Sequence, residues 1–132
     1  MNIKVKQQEI ENTEYQDMRI WDIQTRYFGD EVVIFVENND KTCWEIIFSS
    51  CYTVSYQTDA NTRRIDKVES MRGGQLGYYG QDISLESYSE DENFVKCVID
   101  LSILTMEIVC QNIEVNELDM ENVSFFWNDV NN

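Results

Sequence analysis

The chain has 132 residues, 42% of them hydrophobic and 27% charged, and ten Lys plus Arg stand against 25 Asp plus Glu for a net charge of −15. A chain of this length reads as one domain, residues 1–132, long enough to bury a core without staples. The acidic balance excludes nucleic acid and anionic membranes as natural partners and favours basic ones; the absence of histidine removes Ser-His-Asp, Cys-His and most catalytic zinc chemistry.

No apolar run approaches the roughly 20 residues needed to cross a bilayer, and residues 1–16 lack the apolar core of a secretory signal. The expectation is a cytoplasmic protein whose cysteines, Cys43, Cys51, Cys97 and Cys110, are thiols. Each lies beside apolar or aromatic residues, the setting of a small buried hydrophobe. Without a CxxC pair or a histidine they have no zinc-ligand spacing, and no cofactor is expected.

Residues 18–28, MRIWDIQTRYF, alternate as a strand does, with Trp21, Ile23, Thr25 and Tyr27 in one phase and Ile20, Asp22 and Gln24 in the other. Gly29-Asp30 marks a turn. EVVIFVE, residues 31–37, is a continuous β-branched and aromatic run, as in a strand covered on both faces. Asn38-Asn39-Asp40 is the next turn. KTCWEIIFSS then places Trp44, Ile46 and Phe48 on one face, and CYTVSYQ places Tyr52, Val54 and Tyr56 on one. Residues 18–57 therefore read as a twisted meander of about four strands.

Residues 58–80 read as an irregular or short-helical excursion between two β halves. Ile65, Val68 and Met71 are spaced by three, Asn61 or Thr62 could cap a helix, and Gly73 could end it. Gly73, Gly74, Gly77 and Gly80 crowd into MRGGQLGYYGQDI, but a P-loop needs Gly-Lys-Ser/Thr and a dinucleotide loop needs a helix to follow. The glycines are better read as a bend entering a strand, with Tyr78 and Tyr79 to either side.

Residues 82–88 and 94–101 have strand phasing around an acidic tip at 89–93. In 105–115 the apolar phase runs through Met106, Ile108 and Cys110, then slips to Ile113 and Val115, which predicts a bulge near Gln111-Asn112. The acidic tail carries Val123, Phe125, Phe126 and Trp127, expected to fold back on the body, with residues 128–132 frayed. The fold class is all-β, mainly antiparallel: a twisted sandwich or partly closed barrel of about seven or eight strands with at most one short helix. Proline is absent, so edge strands rely on charge and bulges for protection.

Three chemistries remain open. Asp22, between Trp21 and Ile23, is either a site residue or a strand carboxylate facing solvent or tied to Arg19 or Arg26. A pair of carboxylates in a cleft would make a hydrolase. Arg63, Arg64 and Arg72 could hold an anion in a small ligand-binding barrel, or simply neutralise Asp59, Asp66 and Glu69.

The order of motifs (MRIWDIQ, CWEIIFSSCYTVSYQTD, GQLGYYGQDISLE, FVKCVIDLSILTMEIVCQNIEV) resembles small bacterial immunity proteins of polymorphic-toxin systems, close to the immunity protein 50 type. The resemblance spans most of residues 18–115. Trp21-Asp22 is its one polar motif, and the histidine common in related openings is missing. It implies a non-enzymatic cytoplasmic protein that binds and blocks a cognate toxin. A basic toxin domain would meet a rim of Asp22, Asp40, Glu90, Asp91 and Glu92 and aromatic anchors Tyr52, Tyr56, Tyr78 and Tyr79. An unprotected edge strand would also permit a homodimer.

Overall fold

The computed structural model describes residues 1–61 and 63–128. It contains one helix, α1 (Ile3–Glu11), and six strands: β1 (Ile20–Arg26), β2 (Glu31–Glu37), β3 (Thr42–Thr58), β4 (Asp82–Ser87), β5 (Val95–Asp100) and β6 (Leu104–Asp119). The strands form one antiparallel sheet in the order β1-β2-β3-β6-β5-β4. Two three-strand meanders, β1-β2-β3 and β4-β5-β6, thus meet only along β3 and β6. The all-β expectation holds, as one open sheet.

Among the described residues there are six strands rather than about seven or eight. KTCWEIIFSS and CYTVSYQ are halves of a single 17-residue strand, β3. Ser50 bends it with φ 53°, and the ladder to β6 slips between Cys51 and Thr53. The expected bulge near Gln111-Asn112 has its register shift in this facing strand instead, one residue past the Cys51–Cys110 pair. The apolar slip in β6 is real, since Cys110 and Ile113 are both buried.

The described residues of 59–81 are irregular, with short 3-10 turns at Val68–Ser70 and Gly73–Gln75, and the α-helix, α1, forms at the N-terminus. There the Asn2 side chain accepts from the Val5 N–H at 3.1 Å, an N-cap that satisfies one of the first turn's orphan donors. Ile10 is the one fully buried residue of α1. Thr62, a candidate cap for a helix in the excursion, lies outside the described residues, as does residues 129–132 of the frayed tail expected at 128–132.

Two clusters of buried side chains lie on opposite faces of the sheet. Val32, Ile34 and Val36 of β2 join Ile46, Phe48, Ile83, Ile99 and Ile108 in the larger one, under Ile10 and Tyr15. Val33 and Phe35 join Trp21, Cys43, Leu76 and Phe125 in the smaller one. β2 is therefore covered on both faces, as its unbroken apolar run predicts. Each buried Val, Ile or Phe contributes about 1.5–3 kcal/mol.

The tail does fold back. Phe125 meets Phe35 edge-on at 5.2 Å and stacks on Trp127 at 5.2 Å, and Trp127 donates to the Trp21 carbonyl at 2.6 Å. The glycine-rich stretch makes room for these contacts. A Cβ on Gly73 would stand 3.2 Å from the Trp127 ring, and one on Gly80 would stand 2.4 Å from the Tyr15 carbonyl oxygen.

Candidate functional site

Four separate surfaces receive the candidate contact residues singled out in the sequence. The first is a groove of about 240 Å³ beside β1, whose lining includes Trp21, Asp22, Tyr56, Leu76, Tyr78 and Phe126. A bulge creates it. Ile20 pairs with Val36 but Asp22 pairs with Phe35, so one extra residue is inserted in β1. Side chains alternate along a strand, and the insertion reverses the phase. Ile20 stays with the larger cluster, whereas Trp21 and Asp22 both belong to the smaller cluster's face. The simple alternation expected over residues 18–28 is broken at this point.

Asp22 is half-buried, and burial pushes its carboxyl above the usual carboxylate range. Its oxygens accept from the Ile23 N–H at 2.9 Å and the Gln24 amide at 3.1 Å, and Gln24 accepts from Arg26 at 2.9 Å. Among the described residues it makes no salt bridge, so the expected tie to Arg19 or Arg26 is at most indirect. The buried Trp21 Nε1 beside it also lacks a hydrogen-bond partner among the described residues. Among the described residues, Asp22 is the one carboxylate lining the groove, without the second carboxylate that a paired mechanism needs.

The second surface lies where β3 bends. Tyr52 is exposed and its ring centroid is 5.8 Å from that of Phe94, which in turn sits 6.4 Å from Tyr88. Glu90 and Asp91 line the same depression, and Tyr88 donates to Glu90. That bond to a carboxylate pushes the Tyr88 hydroxyl up to about 12. Glu92 is exposed at the same hairpin tip. Of the expected rim and anchors, Tyr52, Glu90, Asp91 and Glu92 come together here with Tyr88 and Phe94, whereas Asp22, Asp40, Tyr56, Tyr78 and Tyr79 lie elsewhere.

Asp40 stands apart, in a depression with Lys41, Asp119 and Glu121. Tyr79 is exposed near Arg19, on the far side of Tyr78. The arginine cluster does not converge on the groove. Arg63 donates to the Gln75 and Leu76 carbonyls and lies over the Tyr78 ring at 5.6 Å, so it pins the glycine-rich stretch. Arg72 donates to the Met71 carbonyl at 3.0 Å. Arg64 is exposed.

All four cysteines are free thiols, three of them buried. Burial pushes Cys43 up to about 11 and Cys51 up to about 12, which suppresses the reactive thiolate. No group of three or more metal-ligating side chains comes together among the described residues, and no helix among them is long and apolar enough to cross a membrane.

The family model of immunity protein PIM7 matches residues 2–117. The chain belongs to the PIM7 immunity protein family. The motif order that resembles the immunity protein 50 type thus meets a family match in the same functional class. Among solved structures, the chain is similar to an uncharacterized protein from Neisseria gonorrhoeae, at 16% identity and a TM-score of 0.51 over 79% of this chain and 94% of that one. That likeness is one of fold. No curated protein matches the chain.

Proposed function

We propose that this protein neutralises a cognate bacterial toxin by binding it directly, with no catalysis of its own, from the cytoplasm. Membership of the PIM7 family carries the reading, because an immunity protein has a toxin as its partner. The surface chemistry supports it. The contact face is the cluster of Tyr52, Tyr88 and Phe94 rimmed by Glu90, Asp91 and Glu92, since large rings flanked by charge make good anchors. A net charge of −15 draws in a partner with a basic surface and raises its association rate. A homodimer through an edge strand would have to use β1, because β4 is sealed by side chains of α1 and Tyr15.

The test is co-expression with the toxin domain encoded by the neighbouring gene. The expected result is cell survival and a complex on a sizing column, with association slowed at high salt. Growth arrest despite co-expression, together with no complex, overturns the proposal.

A further inference from the structure

The tip of the β1–β2 hairpin presents two aromatic side chains to solvent on an unfavourable backbone. Tyr27 is 72% exposed and Phe28 111% exposed, so Phe28 contributes nothing to the core. Tyr27, Phe28 and Gly29 all have positive φ, at 53°, 62° and 103°. The Asp30 N–H donates to the Tyr27 carbonyl at 3.0 Å and closes a tight turn around Phe28 and Gly29. A turn with two positive φ values is the type that selects Asn-Gly or Asp-Gly. A bulky ring at the first of these positions costs conformational energy and loses apolar area to water. A side chain this exposed gains no burial that would offset either cost, so a contact outside the fold would account for it.

We infer that Phe28, supported by Tyr27, is an anchor that inserts into an apolar socket with a cationic rim on the cognate toxin. This rests on the toxin-binding reading above. Location and charge select the occupant. Asp30 and Glu31 follow the tip directly, and the Asp30 carbonyl accepts from the Cys51 N–H at 3.0 Å, next to Tyr52. The tip is therefore joined to the backbone next to Tyr52, with Arg26 before it and carboxylates after it, and carboxylates also line the Tyr52–Phe94 depression. A protein socket lined by cations complements this arrangement, whereas an anionic membrane repels it.

The experiment compares wild type with F28G and F28N, whose new residues tolerate positive φ. The probe is the purified toxin domain of the neighbouring gene. The thermal midpoint is expected to hold or rise by roughly 4 °C as strain is relieved, while toxin binding weakens at least about thirtyfold, the loss of a hot-spot side chain. Wild type and both variants binding within twofold of one another would overturn the anchor and leave the toxin-binding reading intact. Wild type failing to bind the toxin at all would overturn both. Sedimentation of wild type, but not F28G, with phosphatidylcholine vesicles would make the tip a lipid anchor and also overturn the inference.

Discussion

The two edges of the sheet are treated in opposite ways. Along β4, side chains replace a missing strand. Gln7 of α1 donates to the Ile83 carbonyl and accepts from the Leu85 N–H, both at 2.8 Å, while the Tyr15 hydroxyl accepts from the Ile83 N–H at 2.9 Å. Along β1, among the described residues, cover lies over the start, where the Ile20 N–H donates to the Tyr78 carbonyl at 2.9 Å and the Trp21 carbonyl accepts from Trp127 at 2.6 Å. Beyond it, the Asp22 carboxylate takes the Ile23 N–H and the groove begins. A proline-free sheet has to guard its edges with side chains, and here one edge is closed and the other carries a charge. The charged edge borders the groove of about 240 Å³.

The closed edge should be the easier one to break. Gly80→Ala is the most severe change, because its Cβ would collide with the Tyr15 backbone; a loss of about 3 kcal/mol is expected in urea unfolding. Tyr15→Phe leaves the buried Ile83 N–H without its acceptor and should cost about 1–3 kcal/mol in the same measurement. Gln7→Ala should cost about 1 kcal/mol. It should also unseal β4, so sedimentation velocity is expected to show concentration-dependent association absent from wild type. Unchanged stability and a monomer at all concentrations would show that α1 is not what closes this edge.

The charged edge should respond with the opposite sign. The Asp22 carboxyl is raised in the fold by burial, so the fold disfavours its charged form. Its contribution to stability is fully present below the ordinary Asp range and is lost as pH rises through the elevated value. Asp22→Asn should accordingly stabilise the protein at neutral pH by roughly 0.5 kcal/mol, and the gain should vanish in acid. A stability loss at neutral pH would mean that the carboxylate is structural.

The first meander and the acidic hairpin were legible because their signals are local. Residues 31–37 form an unbroken apolar run, and Gly29-Asp30 and Asn38–Asp40 are strong turn markers. The bulge at Trp21 was not, since a single inserted residue reverses the phase of Asp22 without any mark in composition. The join within β3 was hidden by Ser49-Ser50, which read as a break between two strands but form a bend within one. Helix α1 escaped because its face toward the sheet rests on few apolar residues and on Gln7, a polar contact that pattern reasoning does not register. Asn2 was the available signal. Of the candidate contact residues, Tyr52 and the acidic tip were brought together by pairing far apart in sequence. Phe28 was missed, although an aromatic directly before Gly-Asp in a hairpin was the clue.

The junction of the two meanders bears on how soon a newly made copy can act. β3 ends at Thr58 and β6, its partner, begins at Leu104 and runs to Asp119. A hairpin can form in about 1–10 μs, but the central pair must wait for a long loop to close. During translation, the β6-facing edge of the 17-residue β3 therefore emerges unpaired and stays so until β6 has been made. Each molecule passes through a period of exposure before β6 arrives.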